Sequence, residues 1–100
     1  MVARTPETNS PAGHVRLRYW AGARAAAGVE EDLVESGSPV SLEDLRSRAK
    51  ELHRDSARFA AVLDTCSVLV GDRPVGSREP ASVTVLPGET VEFLPPFAGG

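Results

Sequence analysis

The sequence predicts an α+β domain, a β-sheet with helices packed on one face. Three stretches carry that expectation. His14 to Trp20 alternates apolar with basic side chains, Ser41 opens a helix with one apolar face, and Val91 to Leu94 forms a short apolar strand near the other end. Strands at both ends with helices between them, in a chain of 100 residues, fit a single sheet crossed by its helices on one side.

Residues 1–13 hold Pro6, Asn9, Ser10, Pro11 and Gly13 and little that is apolar, so they read as a disordered leader. In the first strand Val15, Leu17 and Tyr19 share one face while Arg16 and Arg18 share the other, the pattern of a half-buried strand. Ala21 to Ala27 is alanine-rich and helix-prone, with Gly28 placed to stop it. Glu30 to Glu35 centres on Leu33-Val34 and reads as a second strand, acidic on its exposed side, broken by Gly37-Ser38-Pro39.

Ser41 is placed to cap the main helix, and Glu43 and Asp44 put negative charge in its first turn. Leu42, Leu45, Ala49 and Leu52 recur at helical spacing, so Leu42, Leu45 and Leu52 are expected in the core. A second short helix follows with Phe59, Val62 and Leu63 on one face. Ser67 to Val70 is an apolar strand, Gly71-Asp72 a turn, and Arg73 to Val75 a short edge strand where proline is tolerated. Val83 and Val85 alternate with Thr84, and Leu86-Pro87-Gly88-Glu89 has the residues of a type II turn. The expected organisation is one domain over residues 14–94, preceded by the leader and followed by a tail over residues 95–100.

Hydrophobic content of 41% and charged content of 25% are those of an ordinary globular chain. The net charge is -3, and the basic residues, Lys50 and ten arginines, form no stripe, which argues against nucleic acid as a partner. No apolar run approaches a membrane span and no apolar signal core opens the chain, so the expected setting is cytoplasmic. Cys66 is the single cysteine and sits beside an apolar run, which reads as a buried structural thiol.

Chemistry of its own is sparse. Gly71-Asp-Arg-Pro-Val-Gly76 lacks the lysine and the helix of a phosphate loop. His14 and His53 are far from Cys66 and from each other, so they form no metal-ligand spacing, and His53 reads as a solvated or dipole-satisfying group at a helix end. No serine sits in a nucleophile elbow. No bound cofactor is expected, and a carrier or binding module fits better than an enzyme.

The last stretch is different in kind. Thr90-Val-Glu-Phe-Leu-Pro-Pro-Phe-Ala-Gly-Gly100 runs from a strand into Pro95-Pro96, then Phe97-Ala98, then Gly99-Gly100. Two final residues without side chains suit a narrow channel in another protein. Together with Val15-Arg-Leu-Arg-Tyr19, Ala21-x-x-Arg24-x-x-x-Gly28, Ser41-Leu-x-x-Leu45, Arg58-Phe59-Ala60 and Leu86-x-Gly88-x-x-Val91-x-Phe93-Leu94-Pro95-Pro96-x-x-Gly99-Gly100, it resembles the small subunit of molybdopterin synthase, within the ubiquitin-like sulfur carriers of β-grasp fold. The likeness covers His14 to Gly100 and is most specific over the last fifteen residues. It departs at Val70-Gly71, where the family usually has Val-Asn, and between Val75 and Leu86, which is longer here.

The resemblance implies a mixed β-grasp sheet with its first and last strands adjacent. It also implies a function without an active site inside the chain. An ATP-dependent adenylyltransferase would activate the Gly100 carboxylate, a sulfur donor would convert it to a thiocarboxylate, and the tail would deliver that sulfur inside the synthase large subunit to form the dithiolene of molybdopterin. Gly100 is then the reacting residue. Gly99, Ala98, Phe97, Pro96 and Pro95 would position the tail, and Phe93 or Phe97 would face outward to anchor the partner. Two alternatives share the fold and the Gly-Gly ending: a sulfur carrier for thiamine thiazole or cysteine biosynthesis, and a ubiquitin-like protein modifier or interaction domain.

Overall fold

A computed structural model describes residues 13–96. The chain runs β1 (His14–Tyr19), α1 (Ala21–Ala27), β2 (Glu31–Glu35), β3 (Val40–Ser41), α2 (Leu42–Leu52), α3 (Ala57–Thr65), β4 (Ser67–Val70), β5 (Arg73–Pro74), a 3-10 turn (Pro80–Ser82), β6 (Thr84–Val85) and β7 (Thr90–Leu94). Residues 1–12 of the leader and Phe97, Ala98, Gly99 and Gly100 of the tail lie outside the described residues.

Five strands form a mixed sheet in the order β2-β1-β7-β4-β5. β1 and β7 are parallel, with Leu17 beside Val91 and Tyr19 beside Phe93. The other pairs are antiparallel. The first and last strands are therefore adjacent, as expected, and β7 lies at the centre. Strand alternation sorts the side chains. Val15, Leu17, Tyr19, Val91, Phe93 and Val70 turn inward and are buried, while Arg16, Arg18 and Glu92 lie on the opposite side.

α2 and α3 close the core with Leu42, Leu45, Ala49, Phe59 and Leu63, all buried. The Ser41 hydroxyl accepts from the Asp44 N–H at 3.0 Å and the Ser56 hydroxyl from the Phe59 N–H at 3.1 Å, so each helix starts on a side-chain cap. Gly28 ends α1 at φ 79, a left-handed cap that favours glycine. Gly88 has φ 94 in the turn before β7, closed by the Glu89 N–H on the Leu86 carbonyl at 3.1 Å. A small second sheet was not expected: β3 pairs with β6, Val40 opposite Val85, and the Leu42 N–H bonds the Val83 carbonyl at 2.9 Å. This pairing fixes the entry of α2 and explains why the Val75 to Leu86 connection is long.

Three expectations are corrected. Phe93 does not face outward. It is 0% exposed and stacks on Tyr19 at 5.9 Å between ring centroids, because its register places it on the helix-covered face with Val91. Leu52 is 56% exposed, since α2 ends there and its last apolar position overhangs the core edge. The next residue, His53, takes the inward place. Its ring packs on Phe59 at 4.6 Å and meets Tyr19 edge-on at 5.8 Å, and its Nε2 lies 2.6 Å from Asp32 Oδ2. His53 is thus a packed group and not a solvated one.

Candidate functional site: the uncovered sheet face and the root of the tail

Because all three helices belong to one side, the other side of the sheet carries its own row of side chains. The register sets Glu31, Arg18, Glu92, Leu69 and Pro74 in line across the five strands. Arg16 Nη1 reaches Glu31 Oε2 at 3.1 Å, and Arg18 Nε lies 3.7 Å from Glu31 Oε1. One carboxylate therefore holds two guanidiniums flat against the strands. Leu33, at the edge of this face, is 47% exposed.

Trp20 is the anchor of the row above. It follows β1 directly, and parity with Arg16 and Arg18 sends its indole to the same face. Its backbone N–H donates to the Phe93 carbonyl at 3.0 Å, continuing the β1–β7 pairing by one residue. Its Nε1–H donates to Glu92 Oε1 at 3.0 Å, and the Arg18 guanidinium carbon sits 5.0 Å from the ring centroid, within the range of a cation–π contact. Ala21 then turns the chain into α1 at φ 48, a left-handed value that costs an alanine about 1–2 kcal/mol. That turn lets the indole stay on the sheet while the helix leaves on the other side.

β7 points its end at the same place. Leu94 lies opposite Ser67, and Pro95 and Pro96 that follow are exposed. Two consecutive prolines have fixed φ and no N–H to donate, so the chain cannot continue the sheet beyond Leu94. Of the residues expected to act in the tail, the structure places Pro95 and Pro96 at the surface and Phe93 in the core. Phe97, Ala98, Gly99 and Gly100 are outside the described residues. Trp20, Arg18 and Glu92 were not anticipated as site residues. The strand parity of Trp20 was the available signal, and the contact with Glu92 became visible only once β1 was paired with β7.

The described residues hold little reactive chemistry. No group of three or more His, Cys, Asp or Glu among them is placed to hold a metal ion, and no helix is long and apolar enough to cross a membrane. Cys66 is half-buried, donates to the Val62 carbonyl at 3.4 Å, and has its thiol pushed up by burial, with Arg46 opposing more weakly. A thiol so placed is a poor nucleophile. What the face offers is recognition: an aromatic ring, a fixed ion network and neighbouring aliphatic residues.

No protein-family model and no curated protein sequence matches the chain. Solved structures do. A protein named as subunit 1 of a molybdopterin converting factor from Pyrococcus furiosus superposes with a TM-score of 0.66 at 23% identity, covering 84% of this chain and 98% of that one. Small archaeal modifier protein 1 from Haloferax volcanii gives 0.68 at 18% identity, covering 88% and 100%. In a complex of subunits 1 and 2 of the molybdopterin-converting factor from Helicobacter pylori, the matching chain gives 0.56 at 17% identity, covering 87% and 99%.

The fold is the ubiquitin-like β-grasp. Two of these β-grasp neighbours carry the name of the family that the tail motif resembles, and the third is named as a modifier. The β-grasp explains the arrangement of the site: β7 runs down the centre of the sheet and brings exposed Pro95-Pro96 to its end.

Proposed function

We propose that this chain is a sulfur carrier that serves as the small, sulfur-donating subunit of a molybdopterin synthase. The observation that carries the reading is the course of β7. It runs through the centre of the sheet, ends at Leu94, and passes through exposed Pro95-Pro96 into Phe97-Ala98-Gly99-Gly100. Small, unbranched final residues let a carboxylate reach a reacting centre inside another protein.

In this reading the Gly100 carboxylate attacks the α-phosphorus of ATP on the adenylyltransferase, releasing pyrophosphate and leaving an acyl-adenylate. Sulfide delivered by a sulfur donor adds to the acyl carbon and expels AMP, which leaves a thiocarboxylate. Its sulfur attacks a carbon of the pterin precursor within the large subunit and displaces the oxygen substituent on that carbon, and water cleaves the resulting thioester, restoring the Gly100 carboxylate. Two such transfers build one dithiolene. The uncovered face with Trp20, Arg18 and Glu92 docks the large subunit, and Phe97 enters an apolar pocket on it as an anchor does. The protein is expected to act in the cytoplasm.

The test is reconstitution with the adenylyltransferase, ATP and a sulfur donor, followed by mass spectrometry of the intact chain. Exchange of one oxygen for sulfur at the C-terminus is the expected result, and deletion of Gly100 or Gly99→Val should abolish dithiolene synthesis with the large subunit. Normal dithiolene yield from the Gly100 deletion removes the tail from the mechanism. The likeness to small archaeal modifier protein 1 keeps one rival reading specific. Isopeptide adducts on lysines of other proteins, in place of a thiocarboxylate, would identify this chain as a modifier.

A further inference from the structure

A cavity of about 420 Å3 opens at the edge of the sheet, where α2, the start of β4 and the segment 74–80 meet beside Leu94. Leu42, Val68, Val75 and Leu94 give it an apolar lining, and Arg46, Asp64 and Arg78 contribute the charges. This volume falls within the range of about 300–1,000 Å3 common for small-molecule sites, which combine apolar walls with a few convergent polar groups.

The charges do not balance within the protein. Asp64 is already shared by Arg46 and by Lys50, the latter at 2.7 Å, and Lys50 foremost holds its carboxyl below the usual range. Two cations thus share one carboxylate, and Arg78 is a third cation on the cavity wall. The Nε of Arg46 is buried without a hydrogen-bond partner. The Arg78 side chain makes no ion pair or hydrogen bond among the described residues. A buried guanidinium nitrogen that lacks an acceptor, in the same lining as the unpaired Arg78, calls for an anion. The apolar lining distinguishes that anion from a bare phosphate, which would leave the half-buried Val68, Leu69 and Leu94 without a partner.

We propose that this cavity binds a small amphipathic carboxylate, its head group on Arg46 and Arg78 and its short aliphatic body against Val68, Leu69 and Leu94. The cavity adjoins the root of the tail at Leu94, but the proposal does not rest on the sulfur-carrying role.

Titration of the full chain with octanoate, followed by amide NMR, tests the site. The expected shifts concentrate at Val68, Val75 and Arg78, and octanamide, which has the same body without the charge, binds at least about tenfold more weakly. Arg78→Glu lies in an exposed segment and should leave the remaining spectrum intact while lowering octanoate affinity by about tenfold or more. Arg46→Lys retains a cation for Asp64 but removes Nε, and should weaken binding as well. Equal affinity for octanoate and octanamide, an unchanged affinity in Arg78→Glu, shifts centred on Trp20, or inorganic phosphate binding as well as octanoate would each overturn the assignment. None of these readouts uses thiocarboxylate formation, so failure here leaves the carrier reading untouched, and failure of the carrier reading leaves this site untouched.

Discussion

The indole Nε1 of Trp20 donates to Glu92 Oε1 at 3.0 Å and ties the residue after the first strand to the last strand on the uncovered face. The ring is held from both sides, by this bond and by the Arg18 guanidinium. An aromatic side chain fixed in this way loses little freedom on binding, which is a property of interface anchors.

Trp20→Ala should therefore weaken binding to the large subunit by about tenfold or more, measured by calorimetry. Circular dichroism should show the fold retained, because Trp20 lies outside the core. An affinity equal to that of the unaltered chain would place the interface on another face.

Phe93 and Phe97 should separate stability from binding. Phe93→Ala empties a fully buried position against Tyr19 and should cost about 3–5 kcal/mol in urea unfolding. Phe97→Ala should leave the melting temperature nearly unchanged and weaken complex formation. If Phe97→Ala binds normally in calorimetry, the anchor lies elsewhere.

The two ends of α2 should respond differently. Leu45→Ala should destabilise by about 2–5 kcal/mol, since Leu45 is fully buried. Leu52→Ala should stay within about 0.5 kcal/mol, since that side chain is mostly in solvent. Equal destabilisation in guanidinium titrations would mean that Leu52 is covered in solution.

The single tyrosine makes one titration unambiguous. Burial, then the hydrogen bond from the Tyr19 hydroxyl to Asp32 Oδ2 at 2.8 Å and the charge of Asp32, push its ionisation far above the ordinary value of 10.0. A raised folded value favours the neutral phenol, so its contribution to stability is complete below about pH 10 and falls away as pH rises above that. Phenolate absorbance should accordingly appear together with loss of helix signal at alkaline pH. Tyr19→Phe should lose the part of the alkaline destabilisation that comes from this group. Phenolate forming near pH 10 in a chain that is still folded would contradict the buried placement.

Local chemistry was legible in the sequence, and relations between distant segments were not. The alternation of Val15, Leu17 and Tyr19, the Ser41 cap and the Gly28 stop each depend on neighbours a few residues away, and each is found where expected. Phe93 and Leu52 failed for the same reason. Their burial depends on which face of β7 meets the helices and on where α2 outruns the sheet, and both are set by pairing across the chain. The Asp32–His53 contact joins residues in β2 and just beyond α2, so neither stretch alone announced it. For the tail the position is reversed: Pro95 to Gly100 carries the sequence motif, while only Pro95 and Pro96 are among the described residues.

The central place of β7 has a consequence for biosynthesis. The sheet cannot close until the last strand has left the ribosome, because β1 and β4 meet only through it. A chain interrupted before Thr90 leaves both of those strands with an open edge and no core partner at Phe93 or Val91. Folding of the grasp therefore waits for β7 and is dominated by contacts between segments distant in sequence, which slows it relative to helical domains of the same size.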